Sequence, residues 1–500
     1  MKKNRLILTT TTILTFLCQI IIYTNIWVYN NFGNVKIDEV LFTLLSPTDG
    51  TDMKVVFSYI FQVLILSIFI TIVIILLLRL LNKRNQHKYV ITRNISMLLV
   101  IVIFLSSILY TENRFEVIKY FKSKNEETTI YEQKEVEEKS DGDETIIYQD
   151  PNLVNITGEN TNNLIYIYLE SYENSFLDKE NGGIQEVNCL PELTNLAKEN
   201  ISFSNTDKLG GAIPFTGTTW TIASMVGQQA GLPLKVEVAN TMSRYEKFMP
   251  GAKTIGDILH EQGYLQELMI GSTKTFAGTD KFFLQHGYDE IYDYNNYIIN
   301  HSLNREDRNE FGLDDHILLE YAKEELNKLG SQDQKFSFTL ATIDCHTPSG
   351  YTCDNCPNTY SNRYLNIYAC QSNLINSFID WCKEQAWYEN TTIVLVGDHP
   401  TMAQTYTKNI PSDYQRTTYN CIINSKVKTK KIKNRLFSQM DMYPTTLAAM
   451  GFEIEGNKLA MGTNLFSKLP TVLEKYGEEY LNNEVQKSSE YLDTNIYQFK

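Results

Sequence analysis

The sequence predicts an α/β protein: three N-terminal transmembrane helices followed by an extracytoplasmic domain with a mostly parallel central sheet. Three observations predict it. Long uncharged apolar stretches fill the first quarter of the 500 residues, yet mean hydropathy is slightly negative, so the remainder reads as a polar, water-soluble domain. From Asn163 onward, short β-branched or aromatic runs alternate with amphipathic stretches, as strands covered by helices do. Two of those runs end in metal-binding side chains: 163–169 runs into Glu170, and 391–396 runs through Gly397 into Asp398 and His399.

The anchor is expected over residues 1–111, with spans at about 6–29, 55–78 and 94–111. Lys2, Lys3 and Arg5 precede the first span, and Arg79, Lys83, Arg84, Lys88 and Arg93 crowd the loop between the second and third. The positive-inside rule puts both regions in the cytoplasm and everything after Thr111 outside. A cleaved signal peptide is the competing reading of the first span. Its apolar run is too long, lacks a small-residue cleavage signal and precedes two more spans.

Residues 112–160 are dense in Glu, Lys and Asp, including the runs 135–138 and 141–144, and read as a charged extracytoplasmic linker. The catalytic domain is expected over 161–480, and 481–500 as a polar C-terminal tail. Strands are predicted at 163–169, 336–343, 391–396 and 418–423. Helices are predicted at 190–200, 221–229, 254–261, 315–329, 373–385 and 442–450. A small C-terminal β element is expected around 418–466.

With 45 Lys+Arg against 59 Asp+Glu the chain is acidic, which argues against a nucleic-acid partner. Of eight cysteines, Cys353, Cys356 and Cys370 lie close in sequence. A four-cysteine zinc site with Cys382 is disfavoured, because twelve helical residues put Cys370 and Cys382 about 18 Å apart. A disulfide from Cys353 or Cys356 to Cys370 suits an extracytoplasmic loop, with connectivity left open.

Functional groups in open α/β sheets collect past the carboxyl ends of the strands, where Glu170 and Asp398-His399 stand. A carboxylate there is often only a helix cap, and the adjacent Asp-His pair is the stronger signal. Between them, Gly217-Thr218-Thr219-Trp220-Thr221 precedes a predicted helix whose free N–H groups favour phosphate. Thr219 or Thr221 is read as the helix cap, and Thr218 as the hydroxyl that serves chemistry. His346 follows a third apolar run and is placed to donate a proton to a leaving oxygen.

Leu169-Glu170-Ser171, Gly217-Thr218 with Thr221-Ile-Ala-Ser-Met225, Phe276-Ala-Gly beside Asp280, His286-Gly287, Asp344-Cys-His346-Thr-Pro348 and Gly397-Asp398-His399 come in the order of one group. The chain resembles membrane-anchored phosphoglycerol transferases of the lipoteichoic acid synthase and periplasmic-glucan type, in the alkaline phosphatase and sulfatase-like superfamily. The resemblance covers about 164–465, and the loop 37–47 resembles the periplasmic-glucan enzyme. It implies one divalent metal ion, manganese favoured over zinc or magnesium, on Glu170, Thr218, Asp398 and His399. It also implies Thr218 as nucleophile, His346 as proton donor, a phosphatidylglycerol donor, a cell-surface glycan acceptor and a bacterial cell membrane.

Where lipoteichoic acid synthases carry an arginine and a tryptophan around the glycerophosphate, this chain has Ala277 and Thr279 between Lys274 and Asp280. That departure favours single transfers over polymerisation, with Lys274 and Asp280 as candidate substrate contacts. Cys189-Leu-Pro191 imitates a sulfatase nucleophile motif but lacks its arginine. A phosphoethanolamine transferase is the nearest alternative; a non-catalytic receptor would have no use for a nucleophile beside the ion.

Overall fold

In the computed structural model, the run Asn163–Leu169 becomes a strand whose residues from Leu164 onward are all buried, which is why it reads as continuously apolar. The structure describes residues 2–33, 35–45, 53–84, 86–132, 146–237, 246–301, 311–348, 350–354 and 356–499. The chain divides into two units, one of Met1–Ile37, Thr51–Phe121 and Met402–Gln404, the other of Asp38–Gly50, Lys122–Thr401 and Thr405–Lys500.

Among the described residues of the first unit, three helical stretches are long and apolar enough to cross a membrane: Thr9–Phe32, Met53–Leu77 and Val90–Phe115. Each lies within a few residues of a predicted span. Polar groups tie these helices together. The Trp27 indole donates to Ser58 Oγ at 2.8 Å, Asn25 Nδ2 donates to Thr111 Oγ1 at 2.9 Å, and the Arg114 guanidinium donates to the carbonyl of Gly33 at 2.7 Å. Phe61, Phe69, Leu98 and Leu109 are exposed, as side chains facing acyl chains should be.

The second unit is built on a six-stranded sheet. Its strands in chain order are β1 (Asn163–Leu169), β2 (Leu265–Ile270), β3 (Glu290–Tyr292), β4 (Phe336–Ala341), β5 (Thr391–Gly397) and β6 (Asn420–Ile423). Their spatial order is β3-β2-β4-β1-β5-β6, parallel except that β6 runs antiparallel to β5. The run expected to begin a separate C-terminal β element thus supplies the antiparallel edge of the main sheet. Smaller pairs follow at Lys458–Leu459 with Gly462–Thr463 and at Glu453–Ile454 with Ile156–Thr157. Strands β2 and β3 escaped the sequence reading, because Gln266 and Glu267 interrupt the first and the second has three residues.

Register places the site. Leu169 pairs with Gly397, and Tyr168 with Ala341, so β1, β4 and β5 end at the same level and the residues after them meet. Helix Thr221–Ala230 packs over this edge, with Tyr166 Oη donating to Gln228 Oε1 at 2.6 Å and Gln229 Nε2 to Tyr168 Oη at 3.0 Å. Gly231, in the left-handed region at φ 64°, ends it.

Two expectations about the chain's periphery are corrected. Within 112–160, Ile130–Glu132 and Ile146–Tyr148 form a parallel pair with Ile130, Ile146 and Tyr148 buried; the acidic runs 135–138 and 141–144 lie outside the described residues. The segment 481–499 is no tail: Leu481, Val485, Leu492, Ile496 and Tyr497 are buried in the core. Both stretches hide a few apolar residues among many polar ones, which lowers their average but still supplies a buried face.

Candidate active site

Register alone makes Glu170 and Asp398 neighbours at the sheet's carboxyl edge. The backbone then turns sharply: Ser171 sits at φ 59°, a strained value for a residue with a Cβ, held by Tyr368 Oη donating to its carbonyl at 2.7 Å. The N–H groups of Ser171 and His399 both donate to Asp398 Oδ1 at 2.7 Å, and Ser171 Oγ donates to Glu170 Oε1 at 2.7 Å. Glu170, Asp398 and His399 are all buried, and their ligand atoms lie within 4.8 Å of one another.

This trio fits a cation. Asp398 Oδ2 is buried and accepts no hydrogen bond, an expensive arrangement for a carboxylate without a positive partner. His399 Nδ1 donates to the Pro400 carbonyl at 3.0 Å, so the Nε2 lone pair faces the carboxylates, 3.7 Å from Glu170 Oε1 and 3.5 Å from Asp398 Oδ2. That is the tautomer of a metal-ligating histidine. Burial, then the Glu170 charge, pushes the Asp398 carboxyl above its ordinary range. Burial pulls the His399 imidazole down, but Asp398 and Glu170 outweigh it and hold it above its usual value. A divalent cation on the trio would relieve this crowding of negative charge.

The structure does not bring the hydroxyl of Thr218 to the trio. Thr218 Oγ1 donates to the Phe215 carbonyl at 2.9 Å, lies 3.2 Å from Gln439 Oε1, and accepts from Phe215 N–H at 3.1 Å. It builds the turn. Thr221 stands in the place expected for Thr218, with Oγ1 3.4 Å from Glu170 Oε2 and 3.4 Å from His399 Nε2. The physical reason is helical geometry: Thr221 is the first residue of helix Thr221–Ala230, while Trp220 is its cap position and has no side-chain cap bond. The capping role expected of Thr219 or Thr221 is therefore not used. Gly217, at φ 80°, must be glycine, because a Cβ there would come 2.9 Å from the Leu234 carbonyl oxygen.

Several groups that hold this turn were not anticipated. Gln439 Nε2 reaches the carbonyls of Thr218 at 3.3 Å and Asp398 at 3.4 Å, bridging turn and strand end. Asn482 Oδ1 accepts from Thr216 N at 2.8 Å and from Thr216 Oγ1 at 2.9 Å. Glu39, in helix Ile37–Leu45, accepts from Thr219 Oγ1, and Phe42 of that helix packs on Trp220 at 5.3 Å between ring centroids. The resemblance of 37–47 to the periplasmic-glucan enzyme was the one sequence signal for this contact.

His346 lies beyond β4, its ring 4.2 Å from Phe311 and its Nδ1 2.7 Å from the Thr347 carbonyl. The backbone N–H of Lys274 donates to Asp293 at 3.0 Å, and the Asp280 carboxylate accepts from Lys281 N–H at 2.8 Å. Cys189 is buried, its thiol 3.5 Å from the Val187 carbonyl. Cys353 Sγ lies 3.6 Å from Cys356 Sγ and 3.7 Å from Cys370 Sγ, so neither expected disulfide is formed.

A parallel sheet with ligands at its carboxyl edge has counterparts among known proteins. A family model described as Sulfatase matches residues 162–452. The chain belongs to the sulfatase family. Phosphoglycerol transferase I from Shigella flexneri is 30% identical over 312 residues, 61% of this chain and 39% of that protein. The protein of that name from Escherichia coli strain 55989 matches with the same identity and coverage. The matched stretch is thus well under half the length of these relatives. Among solved structures, an alkaline phosphatase superfamily protein from Vibrio parahaemolyticus is 22% identical with a TM-score of 0.50, covering 65% of this chain and 76% of that one. The integral membrane lipooligosaccharide phosphoethanolamine transferase A from Neisseria meningitidis is 14% identical with a TM-score of 0.50, covering 88% of this chain and 84% of its own. Both likenesses show the shared fold.

Proposed function

We propose that this sulfatase-family protein is a phosphotransferase moving glycerophosphoryl groups from phosphatidylglycerol to a hydroxyl of a cell-surface glycan, with Thr221 as the nucleophile. One observation carries the reading: the Thr221 hydroxyl, at a helix N-terminus, lies 3.4 Å from both Glu170 and His399, and His399 Nε2 lies 3.5 Å from the unsatisfied oxygen of Asp398. A binding module needs no hydroxyl there. The 30% identity to phosphoglycerol transferase I supports the choice of head group.

Glu170, Asp398 and His399 would hold one divalent cation, proposed as manganese because two of the three ligands are carboxylates. Bound there, it supplies charge neutralisation and lowers the pKa of a hydroxyl beside it. Thr221 Oγ1 gives up its proton to solvent and attacks phosphorus, forming the Thr221 O–P bond as the bond from phosphorus to the diacylglycerol oxygen breaks. The leaving oxygen takes a proton, assigned to His346. The acceptor hydroxyl then returns a proton to His346 and attacks the same phosphorus, and the Thr221 oxygen leaves and is reprotonated from solvent. Helix Thr221–Ala230 presents its positive end to the phosphoryl oxygens throughout. A lipid donor and an outside acceptor call for an anchored domain facing outward, as the charge flanks of the spans predict.

The test is turnover of labelled phosphatidylglycerol by the full-length protein. Thr221→Ala should lower it by at least about 10³-fold, and Thr218→Val should leave most of it. Equal loss in both variants, or full activity in Thr221→Ala, contradicts the assignment.

A further inference from the structure

Between the end of β4 at Ala341 and the start of helix Arg363–Lys383, the described residues form only turns and irregular backbone. A connection of this length without secondary structure is uncommon inside a compact domain. One end has a tether: Asp344 Oδ2 accepts from Gln371 Nε2 at 3.0 Å and from Asp315 N at 3.2 Å. The neighbour of Gln371 on the helix is Cys370, and its thiol meets Cys353 and Cys356 of the loop.

The three sulfur atoms lie within 4.8 Å of one another, with Cys353 Sγ 3.6 Å from Cys356 Sγ and 3.7 Å from Cys370 Sγ. A disulfide requires about 2.0 Å. A tetrahedral zinc with Zn–S bonds of about 2.3 Å has sulfur-to-sulfur edges of about 3.8 Å. The observed spacings match that edge. Two residues separate Cys353 from Cys356, and Cys356 N–H donates to the Cys353 carbonyl at 3.0 Å, as in a Cys-x-x-Cys pair that points both sulfurs at one ion. Number matters as well. Pairing any two of three sulfurs strands the third, whereas one metal ion engages all three.

We propose that Cys353, Cys356 and Cys370 form a second metal site, for a thiophilic cation such as Zn²⁺, that staples the loop carrying His346 to helix Arg363–Lys383. A three-thiolate set leaves one tetrahedral position for water. The two sites differ in chemistry: thiolates select zinc, while the carboxylate and imidazole trio admits manganese or magnesium. Replacing a ligand of one site leaves the ligand set of the other intact.

The experiment uses the full-length protein in detergent, purified without added chelator or reductant. Elemental analysis should find about one zinc per chain that is lost in Cys356→Ser and Cys370→Ser and kept in Asp398→Asn. After reduction and metal removal, Co²⁺ alone should give a near-ultraviolet thiolate-to-cobalt charge-transfer band in the parent protein and in Asp398→Asn, and should give little of it in Cys356→Ser. Cys356 is partly exposed, so its replacement by serine tests the site without opening the core. Two results overturn the proposal: no thiolate band on cobalt addition, or mass spectrometry showing Cys370 joined to Cys353 or Cys356 in the protein as purified. Neither outcome bears on Thr221, because the trio contains no sulfur.

Discussion

At the scale of single residues, the site turns on which threonine faces the carboxylates. Thr218 spends its hydroxyl on Phe215 and Gln439, whereas Thr221 lies against Glu170 and His399. Thr218→Val should therefore act on stability, costing about 1–2 kcal/mol for the lost hydrogen bonds, measured as a lower unfolding midpoint with turnover retained. Asp398→Asn removes the charge of the ligand that has an unsatisfied oxygen. It should abolish turnover and lower manganese affinity, measured by titration, by at least about 10-fold; unchanged affinity contradicts the trio as the ligand set. The buried trio proposed to hold the cation was legible in the sequence because its members stand at the ends of apolar runs. The threonine that faces the trio was not. Three threonines within four positions have the same local chemistry, and only the start of the helix separates the one that faces the trio from the one that folds the turn.

At the scale of elements, an ion pair joins the segment after β1 to the segment before β6. Arg416 donates to Glu173 through Nε at 2.8 Å and to the Thr401 carbonyl at 2.6 Å, and the Glu173 side chain is fully buried. Arg416→Ala strands that carboxylate, and a loss of about 3–5 kcal/mol of stability is expected, read by chemical denaturation; a change under 1 kcal/mol contradicts this role. In β2, burial, with Glu325 nearby, pushes the Glu267 carboxyl up to about 7. The folded value lies above the unfolded one, so the fold keeps a proton that the unfolded chain releases. This contribution is complete below the unfolded pKa and disappears as pH rises through about 7. Glu267→Gln should flatten that fall in a pH series of melting temperatures; an unchanged slope contradicts the assignment. The glutamate also explains why β2 was missed: a charged residue within a buried strand breaks the apolar pattern that betrays β1, β4 and β5.

At the scale of the whole molecule, three apolar helices accompany a domain of the sulfatase family. The fold class was legible because spans and parallel strands both depend on long apolar runs. The domain's edges were not, since Ile146, Tyr148, Leu492 and Tyr497 are buried from segments whose average composition is polar. The outward orientation predicted from the flanking charges is tested by Lys430→Cys, at an exposed position of the domain. A membrane-impermeant thiol reagent should label this variant, above the parent protein, in intact cells; labelling only after lysis contradicts the orientation. The covalent step on Thr221 is tested by peptide mass spectrometry of the full-length protein after brief incubation with phosphatidylglycerol and manganese. A glycerophosphoryl group is expected on Thr221. The same group on Thr218, or turnover with no adduct on any threonine of the turn, would contradict that step.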